Sequence, residues 1–226
     1  MPKIFKVGID CRFWGIQHAG LGRYTRELVL QLLAQKPEEI VFTLFIHPKD
    51  YQSDKNSLKN CQIVPLSVPH YSLREQLELG NIVDKERLDL VHFPHFNIPI
   101  LGKTPFVVTI HDLIKHFFKG RPVTTKNILI YWLKYAGYRL TINQAITRSL
   151  KIITPSVFVK DQIVVHYADT NRKIVTIYEG VSSEFSSQQK LPIKALLEKY
   201  GIDKPYFVYT GSAYPSKDIP TLLQAI

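Results

Sequence analysis

Short apolar runs alternate with longer amphipathic segments along most of this 226-residue chain, and that alternation limits the folds open to it. β-Prone runs fall at 4–9, 40–46, 61–65, 89–93, 106–110, 151–154, 173–178 and 206–210. Helical periodicity marks 21–36, 71–87, 125–149, 157–168, 193–200 and 217–226. Phe106-Val107-Val108-Thr109-Ile110 and Val41-Phe42-Thr43-Leu44-Phe45-Ile46 are nearly continuous in apolar character, as strands covered on both faces are. The pattern predicts an α/β fold, a Rossmann-like parallel sheet with helices on both faces. No repeat of solenoid period interrupts it.

The first unit of this pattern bears on chemistry. The run from Ile4 to Ile9 enters a loop containing Gly15, Gly20 and Gly22, and a helix follows with Leu28, Leu32 and Leu33 on one stripe. Strand, glycine loop and helix together offer backbone N–H groups and a positive helix end to a phosphate. Arg23 and Tyr24 at the helix start add charge and a hydrogen bond. A dinucleotide fingerprint fails at Thr25, where its third glycine belongs. A P-loop fails because Leu21 and Gly22 stand where Lys and Ser or Thr are needed. A glycine turn without a ligand is the plainer alternative.

Three further segments follow strands or open helices. His111, in Thr109-Ile110-His111-Asp112, sits at the carboxyl end of a strand, where an imidazole can reach a sugar hydroxyl or phosphate. The alternative is a histidine satisfied by a backbone carbonyl. His92 and His95 with His111 raise a metal site, but the pair is broken by Pro94 and no acidic third ligand beyond Asp112 is apparent, so no metal is expected. Gly211-Ser212-Ala213-Tyr214-Pro215-Ser216-Lys217 repeats the strand, glycine, helix arrangement, with Lys217 expected in the first turn of its helix. A lysine there opposes the helix dipole unless an anion is close.

Charge is unevenly placed. The net +10 comes almost wholly from Leu113 to Lys160, which has no Asp or Glu and holds nine of the 29 basic residues, leaving 20 against 19 acidic ones elsewhere. Such a segment implies an anionic partner. The helix at 125–149 adds aromatic residues, so it reads either as a core helix with solvated lysines or as one lying in a membrane interface. No nucleic-acid signature accompanies the charge, and none is expected as partner. Cys11 and Cys61 are too few for a disulfide framework and suit a reducing compartment. With no signal-like N-terminus and no spanning run, the expectation is a cytoplasmic protein, with peripheral contact to the inner face of the plasma membrane through 113–160.

Composition shifts to Gly-Val-Ser-Ser-Glu-Phe-Ser-Ser-Gln-Gln at 180–189. The expected layout is a domain over 1–180, a linker over 181–205 and the opening of a second domain over 206–226. One strand and part of a helix cannot bury an apolar face, so the chain reads as a fragment.

The segments Gly8-Ile9-Asp10-Cys11-Arg12, Gly20-Leu21-Gly22-Arg23-Tyr24-Thr25-Arg26-Glu27-Leu28 and Val91-His92-Phe93-Pro94-His95-Phe96 come in an order that resembles the family-4 retaining glycosyltransferases of the GT-B fold. Val108 to Ile114, Ile153-Thr154-Pro155-Ser156, Tyr178-Glu179-Gly180-Val181 and Tyr206 to Lys217 continue the resemblance. It implies two Rossmann-like domains around a cleft, the first taking the acceptor and the second holding most of a nucleotide sugar. It carries donor phosphate and sugar contact to Gly20 and Gly22, beside which Arg23 is read from its place at the helix start as a further donor contact, sugar contact at the catalytic centre to His111, and neutralisation of the leaving diphosphate to Lys217, without a metal or other cofactor. The implied activity moves a hexose, mannose being the closest look, from a nucleotide sugar to a glycan or lipid-linked acceptor during polysaccharide or lipopolysaccharide assembly. A non-catalytic module that binds a glycan or an anionic membrane is the alternative. Ser212 replaces the arginine that often follows the glycine in the family, and the family's acidic motif would lie past Ile226. The chain by itself is therefore expected to show little or no transferase activity.

Overall fold

A computed structural model describes residues 4–35, 37–119, 127–182 and 192–226. Seven strands form one parallel sheet: β1 (Phe5–Cys11), β2 (Ile40–Ile46), β3 (Gln62–Pro65), β4 (Leu90–Phe93), β5 (Phe106–Thr109), β6 (Lys151–Thr154) and β7 (Ile174–Thr176), in the order β3-β2-β1-β4-β5-β6-β7. The α/β class expected from the sequence is the one observed, and the neighbouring strands pair in parallel throughout.

Helices α1 (Ala19–Ala34), α2 (Pro48–Asp54), α3 (Gly80–Lys85), α4 (Ile114–Phe117), α5 (Ile128–Arg148), α6 (Val157–His166), α7 (Ile193–Lys199) and α8 (Ile219–Gln224) complete the described elements. Side chains of a strand alternate between faces, and β2 shows both faces filled. Phe42, Leu44 and Ile46 join Ile9, Cys11 and the α1 residues Val29 and Leu33 in one buried cluster. Phe45 enters a second cluster with Val91, Phe93, Val108 and the α5 residues Ile142, Ala145 and Ile146. Burial on both sides explains why the strand sequences lack polar alternation.

The strand order reverses direction between β1 and β4, which pair through Val7–Leu90, Gly8–Val91 and Ile9–His92. In sheets of this kind the crevice outside the carboxyl ends of the strands at the reversal is where ligands sit. The loops after β1, β4 and β5 open there.

The chain divides into two compact units, one of Met1–Leu113 with Leu129–Glu179 and one of Ile114–Ile128 with Gly180–Ile226. The first unit holds the sheet. In the second, α7 and α8 bury no residue, and the expected strand at 206–210 is not formed. Tyr206, Phe207, Val208 and Tyr209 are exposed, because an extended segment without a neighbouring strand has no ladder to join. Lys217 is also displaced from expectation. It ends the 3-10 turn Pro215–Lys217, and Asp218, at φ 47°, separates it from α8. The helix expected over 71–87 begins only after Tyr71, whose φ of 56° interrupts it. Most of the expected linker composition, at 183–191, and the first residues of the helix expected at 125–149 lie outside the described residues.

Candidate functional site

β1 ends in a charge. Asp10 and Arg12 are 4% and 3% exposed, at the point where the apolar run gives way to the loop. The Arg12 guanidinium forks onto Asp10, Nε donating to Oδ1 at 2.9 Å and Nη2 to Oδ2 at 2.7 Å. Its Nη1 donates to Oε1 of Glu75, a fully buried carboxylate. Asn97 Nδ2 donates to the same oxygen at 2.6 Å, and the Tyr71 backbone N–H donates to Glu75 Oε2 at 2.8 Å. Burial works against the Arg12 charge, but Asp10 and Glu75 outweigh it and hold the guanidinium firmly protonated. Two carboxylates share one cation, so this buried network carries an excess of negative charge.

A second polar chain runs across the sheet. Tyr24, in the second turn of α1, places its hydroxyl 3.1 Å from Thr109 Oγ1, which lies 2.8 Å from His92 Nε2. Burial, helped by the nearby His111, pushes the His92 imidazole down to about 4, so its ring is neutral at pH 7. Burial also raises the Tyr24 phenol, partly countered by its bond to Thr109.

His111 sits beside this chain, its ring edge-on to Tyr24 with centroids 4.7 Å apart. Its Nε2 donates to the Pro94 carbonyl at 2.9 Å, and its Nδ1 lies 3.1 Å from Glu179 Oε1. A carbonyl only accepts, so the hydrogen is on Nε2, and the contact with Glu179 becomes an ion pair when the ring takes a second proton. The plainer reading of His111, a ring satisfied by a backbone carbonyl, is thus part of the answer. Glu179 and Tyr24 supply the rest, and they tie the ends of β5 and β7 to α1.

The glycines separate in role. A Cβ on Gly22 would stand 1.9 Å from the Gly15 carbonyl oxygen, whereas one on Gly20 would meet nothing within 4 Å. Gly22 lets the helix pack against its own preceding loop. Gly20, exposed in the first turn of α1, keeps open the space before the orphan N–H groups of the helix start. Arg23 is exposed one turn from that end. Thr25, whose side chain defeats the dinucleotide reading, is fully buried and donates to the Leu21 carbonyl at 2.9 Å. Gly20, Gly22, Arg23 and His111 belong to the first unit and Lys217 to the second, and it is Tyr24, one residue past Arg23, that meets His111.

The histidines are used singly. His92 meets Thr109, His111 meets Pro94 and Glu179, and His95 Nδ1 accepts from the Asn97 N–H at 3.3 Å. Among the described residues no group of three or more His, Cys, Asp or Glu side chains is arranged to hold a metal.

Beside the buried network lies a cluster of rings from three loops. Phe13 stacks on His70 at 3.9 Å and 13°. His18 meets both edge-on, and Tyr71 and His95 lie within 6.2 Å of Phe13. Sequence reasoning missed this cluster, as it missed Glu75 and Glu179. For Asp10 and Arg12 a signal existed, two opposite charges closing an apolar strand. For Glu75, one of four acids in the helical stretch 71–87, there was none.

The comparisons with known proteins bear on the fold and the family. The chain is 25% identical over 173 residues to the O-antigen chain mannosyltransferase RfbU of Salmonella typhimurium, a match covering 75% of this chain and 41% of that protein. Among solved structures it is similar to Anabaena HepE in complex with UDP and glucose, with a TM-score of 0.59 at 13% identity, covering 98% of this chain and 57% of that one. It is also similar to a glycosyltransferase of Rickettsia africae, with a TM-score of 0.51 at 15% identity over 89% of this chain and 50% of that one. The chain therefore spans about half the length of the proteins it matches. Its fold is that of a GT-B half, and the model of glycosyltransferase family 4 matches residues 18–185, which include the first turn of α1, Tyr24, His111 and Glu179: the chain belongs to that family.

Proposed function

We propose that this chain supplies the acceptor-side half of a glycosyltransferase that moves a hexose from a nucleotide sugar onto a glycan or lipid-linked acceptor in polysaccharide assembly. The observation that carries the reading is the meeting of His111, Tyr24 and the start of α1 at the strand reversal, inside the span matched by the family model. Residues 1–180 form the acceptor-side domain in this reading, and 206–226 open the domain for the nucleotide. The first donor to try is GDP-mannose, after the name of the Salmonella relative, and the second UDP-glucose, after the ligands of HepE.

The chemistry suits the groups present. Glycosyl transfer builds positive charge at the anomeric carbon and negative charge on the departing diphosphate. The α1 start offers N–H groups past Gly20 and a cation at Arg23 to the diphosphate side. His111 is steadied by Pro94, Glu179 and the edge-on Tyr24, and in this reading the sugar displaces the Glu179 contact to reach its Nδ1.

Saturation-transfer NMR of the purified chain with GDP-mannose and with UDP-glucose tests the proposal. Hexose protons of at least one donor should receive saturation, and His111→Ala should weaken that signal by fivefold or more. Equal signals for both proteins, or none from either donor, would sink it.

One observation favours a second role for the same domain. The α5 stripe opposite its buried residues is apolar over its first half: Trp132, Leu133 and Leu140 are 47%, 76% and 53% exposed, with Ala136 between them. Lys134 and Arg139 flank the stripe, inside the segment that lacks acidic residues. Peripheral contact with an anionic lipid surface fits this face, and a lipid-linked acceptor is delivered there. Two copies of the chain would instead oppose like charges.

A further inference from the structure

Two backbone irregularities fall within nine residues of each other and share one anchor. Tyr71 has a φ of 56°, a left-handed conformation that an aromatic residue adopts only when its surroundings impose it. Four residues later the chain enters a π-helical stretch, Glu75–Leu79, of the kind that gathers at functional positions. Glu75 ties the two together. Its Oε2 accepts the Tyr71 N–H at 2.8 Å, its own N–H donates to Ser72 Oγ at 3.1 Å, and its Oε1 is held by Arg12 and Asn97. A fully buried acid thus pins a strained turn to the carboxyl ends of β1 and β4.

What the turn presents is aromatic. Tyr71 is 60% exposed, its ring 6.2 Å from Phe13 and 6.1 Å from His95. Behind it, His70 stacks flat on Phe13, and His70 Nδ1 finds no hydrogen-bond partner among the described residues. Burial and the Arg12 charge keep His70 neutral near pH 7, pushing it down to about 4, while a bond to the Arg12 backbone occupies its other side. The nearby formal charges are Arg12 against Asp10 and Glu75, with Asp112 also acting on Tyr71. That balance is unfavourable to phosphate and indifferent to a neutral polyol.

We infer that Tyr71, with Phe13, His70 and His95, forms a platform that takes the acceptor's terminal sugar ring. The inference rests on the proposed transfer reading, which puts the donor at His111 and the α1 start. The platform lies on the loops after β1, β3 and β4, on the flank of the reversal away from β7, and that leaves it to the acceptor. Stacking on an aromatic face and hydrogen bonding to the polar groups beside it select a pyranose by its flat apolar side and its hydroxyls together.

Saturation-transfer NMR with methyl α-mannopyranoside and methyl α-glucopyranoside as probes tests the platform separately from the donor site. Tyr71→Gly removes the ring while glycine accepts the left-handed backbone without strain, so this variant should fold, with an unchanged or higher Tm. It should lose at least fivefold of the glycoside signal and keep its response to GDP-mannose or UDP-glucose. Tyr71→Phe should retain most of the glycoside signal. If a folded Tyr71→Gly binds the glycosides as the unaltered chain does, or if no glycoside binds while a nucleotide sugar does, the platform is overturned and the transfer reading stands. If neither class of probe binds, both fall together.

Discussion

Two glycines that look alike in the sequence are set apart by what surrounds them. Gly20→Ala adds a methyl group in open space within a helix, and should stabilise the protein by up to about 1 kcal/mol. Gly22→Ala drives a Cβ into the Gly15 carbonyl, where backbone must move, and should cost about 2–3 kcal/mol. Urea denaturation of the two variants gives the comparison directly, and a Gly22→Ala no less stable than Gly20→Ala would refute this packing. His92 supplies a pH dependence whose sign is fixed by its burial. Its folded pKa lies near 4 against an ordinary 6.5, so below pH 6.5 the unfolded chain binds a proton that the folded chain refuses. Stability is therefore complete above pH 6.5 and declines as pH falls toward 4, by on the order of 3 kcal/mol for this one group. His92→Gln, which retains a polar partner for Thr109, should flatten the slope of Tm between pH 6.5 and 4.5.

At the scale of elements, the apolar runs announced the sheet well because each parallel strand is covered on both faces, and continuous burial writes itself as continuous apolar sequence. The runs at 40–46 and 151–154 match β2 and β6 to the residue. The short α2 and α4 left no comparable period, since one or two turns cannot display one. The site was legible only in part. His111 and the glycine loop stand out by their place after strands, but Glu75 and Glu179 gain meaning from residues 63 and 68 positions away. Long-range partners of this kind leave no local trace in a single sequence. For α5, the exposed stripe makes a prediction of its own. The protein should co-sediment with vesicles containing phosphatidylglycerol and not with pure phosphatidylcholine, and should be released by raising salt from 0.1 to about 0.5 M, where the Debye length shortens about twofold. Leu133→Asp should abolish sedimentation and His111→Ala should leave it intact. No helix of the described residues is long and apolar enough to cross a membrane.

For the whole molecule, the two units differ in how much they bury. The first contains both apolar clusters and every strand of the sheet, and in the second neither α7 nor α8 buries a residue. Amide exchange depends on the opening free energy of each segment, so the difference should be large. Mass-spectrometric hydrogen exchange should show Val7–Asp10 and Val91–Phe93 protected for hours, and 205–210 exchanged within seconds. Slow exchange at 205–210 would mean that this segment has found a strand to pair with. Disagreement there would bear on the second unit alone.

The strand order is also an order in time. β1 leads the chain, yet it lies between β2 and β4, and its pairing with β4 joins Val7 to Leu90. During synthesis the amino-terminal strand can gather β2 and β3 early, but its other edge waits unpaired until about ninety residues have been made. From β4 onward each new strand lands beside the one before it, so β5, β6 and β7 lengthen the sheet in the sequence in which they emerge from the ribosome. The Arg12 guanidinium must wait as well, because Glu75 and Asn97 come late. The ionic anchor beneath the strained turn closes only when the centre of the sheet does, before β5, β6 and β7 extend it, which makes the anchor a natural reporter of the moment the two sides of the sheet join.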